Sequence, residues 1–202
     1  MRKLIYGLLK VAVINLYLKR AKIIVKGNLP KKAAIIVANH NNPWDPPLII
    51  IAAGRIVHFF TANLLFKNVI YGYFLRLIQQ IPVQSGLRKV NEKAFLKANY
   101  YLKRNELVGI FPYPDDLIKK KKVLYTGVIR LVMENDVPII PIRVKLNEKR
   151  KWKSFFDVNF NQAEVIIGKP LNGFRERCIK NRGYDHCLGL AKELVDYTEN
   201  LK

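Results

Sequence analysis

Acidic residues are scarce in this chain of 202 residues, where 15 Asp and Glu stand against 36 Lys and Arg and leave a formal net charge of +21. The cations are spread along the chain, and a surface of this kind attracts an anionic partner. Phospholipid headgroups, nucleic acid and acyl-carrier cofactors all qualify. Because no helix-turn-helix, zinc-finger or RNA-recognition pattern accompanies the charge, we expect an anionic membrane surface as partner and no nucleic acid.

Cysteine and histidine are also few. Cys178 and Cys187 are too few for a disulfide framework and indicate a reducing compartment. Together with His186 they offer at most three metal-type ligands, so we expect no metal site. Half of the residues are apolar, enough to fill a sizeable core, which excludes disordered and collagen-like classes. We expect a single domain over residues 21–202, preceded by a separate segment, 1–20.

Residues 1–20 carry apolar runs that are flanked by basic residues and interrupted by Lys10. A bilayer span needs about 20 apolar residues, so this segment is too short to cross and is predicted to lie as a helix in the membrane interface. The alternative is a helix packed against the domain. The small-x-small cleavage pattern of a signal peptide is missing. We therefore expect the protein to be peripheral or monotopic on the cytoplasmic face of the membrane.

Strand and helix patterns alternate through the rest of the chain, which predicts an α/β fold with a mostly parallel sheet flanked by helices. His58 is expected to be a packed strand residue. The aromatic residues of a helix predicted over 64–78 are expected in the core, with an acyl-chain tunnel or membrane contact as the alternative. Residues 172–185 are expected to be irregular, with Asp185 capping a last helix. Predicted strands cover 21–27, 33–38, 55–61, 80–84, 107–112, 138–145 and 164–167; the other predicted helices cover 46–53, 90–104 and 127–135.

Residues 35–48 read IIVANHNNPWDPPL, a buried strand, a tight loop and a helix start. His40 follows the strand and Asp45 lies across the turn, so that the carboxylate could reach the imidazole. A carboxylate fixes the tautomer of a histidine and stabilises the imidazolium, which makes the histidine a general base. The alternative is structural: Asp45 as a helix N-cap before Pro46, and the asparagines as turn residues.

Four blocks follow one another along the chain: His40-x4-Asp45, QIPVQS at 80–85, GIFP at 109–112 and VPIIPI at 137–142. Their order and residues resemble the glycerophospholipid acyltransferases, the family of 1-acylglycerol-3-phosphate acyltransferases, and residues 126–131 and 165–171 are also similar to that family. This resemblance favours the catalytic interpretation. The resemblance implies that His40, oriented by Asp45, removes the proton of a lipid acceptor's hydroxyl. It also implies an acyl thioester as donor substrate, acyl-CoA or acyl carrier protein, and no bound cofactor.

The second and third blocks depart from the family pattern. Where the family continues with Glu-Gly-Thr-Arg, this chain has Tyr113-Pro114-Asp115-Asp116, and Ser85 stands where the second block of the family ends in arginine. Both arginines thought to hold the acceptor's phosphate are therefore absent by simple alignment. Nearby cations at Arg88 and Lys89, or the lysine run at 119–122, could replace them. The departures are also compatible with an acceptor that has a neutral headgroup. A further alternative is an inactive or repurposed lipid-binding protein. Substrate contacts are expected from Asn39, Arg88, Lys89, Phe111, Pro112, Tyr113, Asp115 and Asp116.

Overall fold

Seven strands form one sheet in the computed structural model, which describes residues 21–84, 91–113, 124–149, 158–171 and 173–202. Their order across the sheet is β1-β7-β6-β2-β5-β3-β4. Neighbouring strands are parallel except β6 and β7. The predicted α/β class with a mostly parallel sheet is therefore confirmed. The strands are β1 (Lys22–Lys26), β2 (Ala34–Ala38), β3 (Val57–Ala62), β4 (Ile81–Val83), β5 (Leu107–Ile110), β6 (Ile139–Glu148) and β7 (Phe160–Ile167).

Helices cover both faces of the sheet. Within the described ranges, no helix is both long enough and apolar enough to cross a bilayer. A short 3-10 helix, Asn63–Lys67, follows β3 directly. The α-helices are α1 (Asp45–Ala53), α2 (Val69–Leu77), α3 (Glu92–Lys103), α4 (Gly127–Glu134), α5 (Phe174–Lys180) and α6 (Tyr184–Glu199).

Strand β2 lies in the middle of the sheet and is buried along its whole length. Side chains alternate between the two faces of a strand, so Ile35 and Val37 enter the core covered by α3, α4 and α6. Ile36 enters the opposite core, where Leu48 and Ile49 of α1 cover it. This two-sided burial accounts for the unbroken apolar run of the sequence. It also fixes the position of His40, two residues beyond the end of β2.

The region predicted as one helix over 64–78 is divided. The side chain of Asn68 accepts hydrogen bonds from the amides of Ile70 and Tyr71 at 3.1 and 3.0 Å, which starts α2 after the 3-10 helix. Phe66 is buried, as expected for a core aromatic, but Tyr73 is 70% exposed. The core assignment was therefore wrong for Tyr73, because helical spacing does not indicate which face meets the sheet.

Residues 172–185 are also more regular than predicted, because α5 forms within them. Phe174 and Cys178, one helical turn apart, are both buried and hold this short helix against the core. Asp185 does not cap the last helix: α6 begins at Tyr184 after Gly183, and Asp185 lies in its first turn. The predicted interfacial helix over 1–20 lies outside the described residues and stays a prediction.

Candidate active site

The loop between β2 and α1 brings His40 and Asp45 together, as the sequence predicts. Nδ1 of His40 lies 3.3 Å from Oδ2 of Asp45. The same oxygen accepts hydrogen bonds from the backbone amides of Asn41 and Asn42, at 2.7 and 2.8 Å. Asp45 is the first residue of α1 rather than its N-cap, which is Trp44, so the capping interpretation is wrong. The carboxylate instead organises the loop that carries the histidine.

Burial is divided unequally between the two partners. The Asp45 side chain is 1% exposed, whereas that of His40 is 24% exposed. Since a carboxylate only accepts, the pairing favours the tautomer with a proton on Nδ1 and a lone pair on Nε2. Among the described residues, no hydrogen bond uses Nε2. A distance of 3.3 Å is long for a hydrogen bond, as catalytic contacts often are before a substrate closes the site.

Three stacked rings fix the plane of the imidazole. The ring of His40 stacks on Phe111 with a centroid distance of 4.4 Å, and Phe111 stacks on Phe59 at 4.9 Å. Gly109 makes room for this stack, since a Cβ at that position would lie 2.2 Å from a ring carbon of Phe59. The third sequence block therefore contributes two residues to this support: Gly109 leaves room for the ring of Phe59, and Phe111 stacks on the imidazole. Sequence reasoning singled out Phe111 but missed Phe59.

Asn42 connects the loop to the last residue of β6 and to the residue that precedes β7. Its side-chain amide nitrogen donates to Glu148 at 3.0 Å and to Asn159 at 3.3 Å, and its oxygen accepts from the amide of Trp44 at 3.0 Å. Asn42 is 3% exposed. The sequence indicated only an ordinary turn residue here, because its partners lie more than 100 positions further along the chain.

Asn39 has a similar role on the other side of the histidine. Its side chain accepts from the amide of Val144 at 2.8 Å and donates to the carbonyl of the same residue at 3.1 Å. Both ends of its amide group are thus paired with the backbone of one residue of β6. These bonds attach the end of β2 to its neighbour; the substrate contact expected of Asn39 stays a prediction.

Pro112 and Tyr113 continue the third block beyond the ring stack. Pro112 is buried, and its carbonyl accepts from the amide of Tyr125 at 3.0 Å. Burial raises the pKa of Tyr113, and the carboxylates of Asp196 and Glu199 raise it further. The structure thus brings Phe111 to His40, and the substrate contacts expected of Phe111, Pro112 and Tyr113 stay predictions.

Four of the predicted substrate contacts, Arg88, Lys89, Asp115 and Asp116, lie outside the described residues and stay predictions.

Arg130, the arginine of the block at 126–131, is engaged elsewhere. Its guanidinium donates to both carboxylate oxygens of Glu92 and, at 2.7 Å, to Glu134, and it lies over the ring of Phe95. These hydrogen bonds raise the pKa of Arg130. An arginine that is paired with two carboxylates is poorly suited to hold a phosphate.

The family model described as Acyltransferase matches residues 21–145, which include every element of this site up to β6. The chain belongs to the acyltransferase family. The resemblance drawn from the four sequence blocks is thereby confirmed.

Curated relatives agree with this assignment. A probable 1-acyl-sn-glycerol-3-phosphate acyltransferase of Mycoplasma pneumoniae is 22% identical over 171 residues, covering 78% of this chain and 64% of the relative. The chain thus spans less than two thirds of that protein's length. The 1-acyl-sn-glycerol-3-phosphate acyltransferase of Bacillus subtilis is 26% identical over 155 residues, covering 75% of this chain and 73% of the relative.

A solved structure supports the fold of this acyltransferase-family chain. The 1-acyl-sn-glycerophosphate (LPA) acyltransferase PlsC of Thermotoga maritima superposes with a TM-score of 0.68 over 98% of this chain and 78% of the other. The identity is 19%, so the likeness concerns the arrangement of strands and helices alone.

Proposed function

We propose that this protein transfers a fatty acyl group from an acyl thioester to the hydroxyl of a lysophospholipid or a related lipid acceptor. The observation that carries the proposal is the pairing of His40 with a buried Asp45 that is itself held by two backbone amides. Membership of the acyltransferase family supports the same reaction class. The donor is acyl-CoA or an acyl carrier protein, and the reaction needs no bound cofactor.

The geometry supports general-base chemistry. Nε2 of His40 removes the proton of the acceptor hydroxyl as its oxygen attacks the carbonyl carbon of the thioester. Asp45 stabilises the imidazolium that forms. The tetrahedral intermediate then collapses, the carbon–sulfur bond breaks, and the leaving thiolate takes the proton from the imidazolium. The products are the acylated lipid and the free thiol, and no covalent acyl-enzyme is required.

The acceptor is where this chain differs most from its relatives. A phosphate monoester is best held by arginines in bidentate geometry, and the motif positions offer Ser85, Asp115 and Asp116 instead. We expect lysophosphatidate to be a poor acceptor, or to bind through displaced cations such as Arg88 and the lysine run at 119–122. The names of the relatives favour a phosphate-bearing acceptor, so the two expectations can be separated by experiment.

The test follows thiol release and lipid acylation with acyl-CoA and acyl carrier protein as donors. Lysophosphatidate and a lysolipid without a phosphate monoester are compared as acceptors. We expect transfer to at least one acceptor, and charge-removing substitutions at Arg88 and at 119–122 should lower turnover only of the phosphate monoester. Wild-type turnover of lysophosphatidate in all these variants would show that its phosphate is bound elsewhere.

A second candidate is a lipid-binding protein without transferase activity, which the altered third block favours. Stoichiometric binding of an acyl chain, with no thiol release for any donor and acceptor pair, would support this alternative over the transferase.

The proposed location is the cytoplasmic face of the membrane, with residues 1–20 lying in the interface. The apolar residues of this segment would be buried among the lipids, and its Lys and Arg would meet the headgroups. A chain starting near Lys22 should bind anionic vesicles more weakly than the full chain. Equal binding by both would remove this role from the segment.

A further inference from the structure

The helical hairpin formed by the 3-10 helix Asn63–Lys67 and helix α2 exposes an unusual amount of apolar surface. Among the described residues, eleven large apolar side chains are exposed, and six of them belong to this hairpin. Proteins seldom expose a continuous apolar patch of this kind without using it for binding. The six residues, with their exposed fractions, are Leu64 (72%), Leu65 (38%), Val69 (85%), Ile70 (77%), Tyr73 (70%) and Leu77 (38%).

The exposure is built into the hairpin rather than caused by loose packing. Gly72 brings the two helices so close that a Cβ there would lie 2.3 Å from the carbonyl oxygen of Phe66. Arg76 donates to the same carbonyl at 3.0 Å and lies over the ring of Phe66, which is buried. With Asn68 capping α2, these contacts fix which side chains point inward. The apolar side chains on the opposite face are held outward.

Charge identifies the partner. The sequence contains no acidic residue between Asp45 and Glu92, whereas five cations lie in the same interval, two of them in the hairpin. A hairpin whose apolar residues are accompanied by two cations, Lys67 and Arg76, and by no carboxylate of its own complements an anionic phospholipid surface. A second copy of this chain is a poor partner, because each copy carries a net charge of +21. The five cations are Arg55, Lys67, Arg76, Arg88 and Lys89.

The position of the hairpin relates it to the candidate active site. It begins directly after β3, whose carboxyl end lies at the same edge of the sheet as the end of β2, where His40 stands. The ring of Phe59 in β3 belongs to the stack that supports the imidazole. A bilayer that contacts the start of the hairpin would therefore meet the edge of the sheet at which His40 is exposed.

We propose that this hairpin is a docking surface for an anionic phospholipid bilayer, separate from residues 1–20. Val69, Ile70 and Tyr73 enter the interface, and Lys67 and Arg76 contact the headgroups. The orientation of the site toward lipid rests on the proposed function. The contact with the bilayer does not, because it depends only on the apolar and cationic residues of the hairpin.

The test compares two triple variants of the full chain. In each, three exposed apolar residues become glutamine, which changes no charge and is compatible with a helix. The control residues are comparably exposed but lie on α3 and α6. The hairpin variant carries Val69→Gln, Ile70→Gln and Tyr73→Gln; the control variant carries Leu96→Gln, Tyr100→Gln and Tyr184→Gln.

Binding is measured by flotation with vesicles of roughly three parts phosphatidylcholine to one part phosphatidylglycerol. We expect the hairpin variant to lose about tenfold or more in partition coefficient, because three large side chains no longer leave water. The control variant should stay within about twofold of the wild type. Unchanged binding by a hairpin variant that melts like the wild type would overturn the proposal.

A second measurement identifies what covers the hairpin. A fluorophore on Tyr73→Cys should be quenched by brominated lipid, and one on Leu96→Cys should not; the natural cysteines are buried and serve as the unlabelled background. Absence of quenching at Tyr73→Cys would contradict the proposal. So would self-association that depends on the hairpin and excludes vesicles. Because His40→Ala should bind vesicles normally, failure of the docking surface and failure of the proposed reaction remain distinguishable.

Discussion

Two histidine–carboxylate pairs lie at opposite edges of the sheet, and they differ in which partner is buried. In the pair at the carboxyl edge, the Asp45 side chain is 1% exposed and that of His40 is 24% exposed. In the other pair, the His58 side chain is fully buried and that of Glu106 is 26% exposed. Nε2 of His58 lies 2.5 Å from Glu106 and Nδ1 lies 2.9 Å from the carbonyl of Gln79. Both nitrogens of His58 are therefore used within the protein.

A short contact with a carboxylate does not by itself make a histidine a general base. His58 has the shorter contact, but it has no nitrogen left for a substrate and its ring is stacked on Tyr101 with a centroid distance of 3.6 Å. His40 has the longer contact and an exposed face. A buried carboxylate with an accessible imidazole suits proton transfer, whereas the buried imidazole of His58 attaches β3 to the turns that precede β4 and β5.

The largest expected effect on activity comes from replacing His40, with a replacement of His58 as the comparison. His40→Ala should lower kcat/KM for acyl transfer by roughly a thousandfold or more, since general-base catalysis contributes on that order. His58→Gln should leave kcat/KM within about threefold, because His58 contacts no reacting group. Steady-state assays on both variants check this. Wild-type turnover by a folded His40→Ala variant would refute the catalytic assignment.

Replacing the buried carboxylate should have the next largest effect on activity. Asp45→Asn keeps the volume but removes the charge that stabilises an imidazolium, so we expect kcat to fall by about a hundredfold or more. The backbone amides of Asn41 and Asn42 would lose charge-assisted hydrogen bonds, costing about 1–3 kcal/mol of stability. Parallel kinetics and urea unfolding separate the two effects. A loss of stability with unchanged kcat would make Asp45 a structural residue only.

Much of the candidate site could be predicted from the sequence because its members are local or lie at strand ends. His40 and Asp45 belong to one loop, and Phe111 follows the strand beside β2, so the parallel sheet brings it to the histidine. The contacts of Asn42 with Glu148 and Asn159 could not be predicted, since they depend on the register of β6 and β7. Helical spacing likewise predicted a helix over 64–78 with its aromatic residues in the core, but not that Val69, Ile70 and Tyr73 would face solvent.

The structural pair should affect stability and its dependence on pH. Burial lowers the pKa of His58 below its ordinary value of 6.5, although its hydrogen bonds to Gln79 and Glu106 oppose the shift. As pH falls below about 6.5, the unfolded chain binds a proton that the folded chain resists, so stability decreases. His58→Gln should cost about 1–3 kcal/mol at neutral pH and should remove this acid dependence. Urea unfolding across that range checks it, and an unchanged slope would contradict it.

The smallest effect is expected from Glu106→Gln, which tests the exposed partner of the same pair. At neutral pH the change should cost less than about 1 kcal/mol, because Glu106 is partly exposed and the amide group of glutamine, unlike the carboxylate, can donate to the Nε2 of a neutral imidazole. Its contact with Arg104, at 3.7 Å, is also exposed and weak.

In acid the Glu106→Gln variant should lose more stability than the wild type. Glu106 raises the pKa of His58 through a hydrogen bond and its charge, while the neighbouring Lys97 lowers it. Without the carboxylate the pKa of His58 falls further, so the range of pH over which protons favour the unfolded chain widens. Chemical denaturation of both proteins near pH 5 and pH 7.5 measures the difference. A shallower acid dependence in the variant would mean that Glu106 does not stabilise the protonated ring.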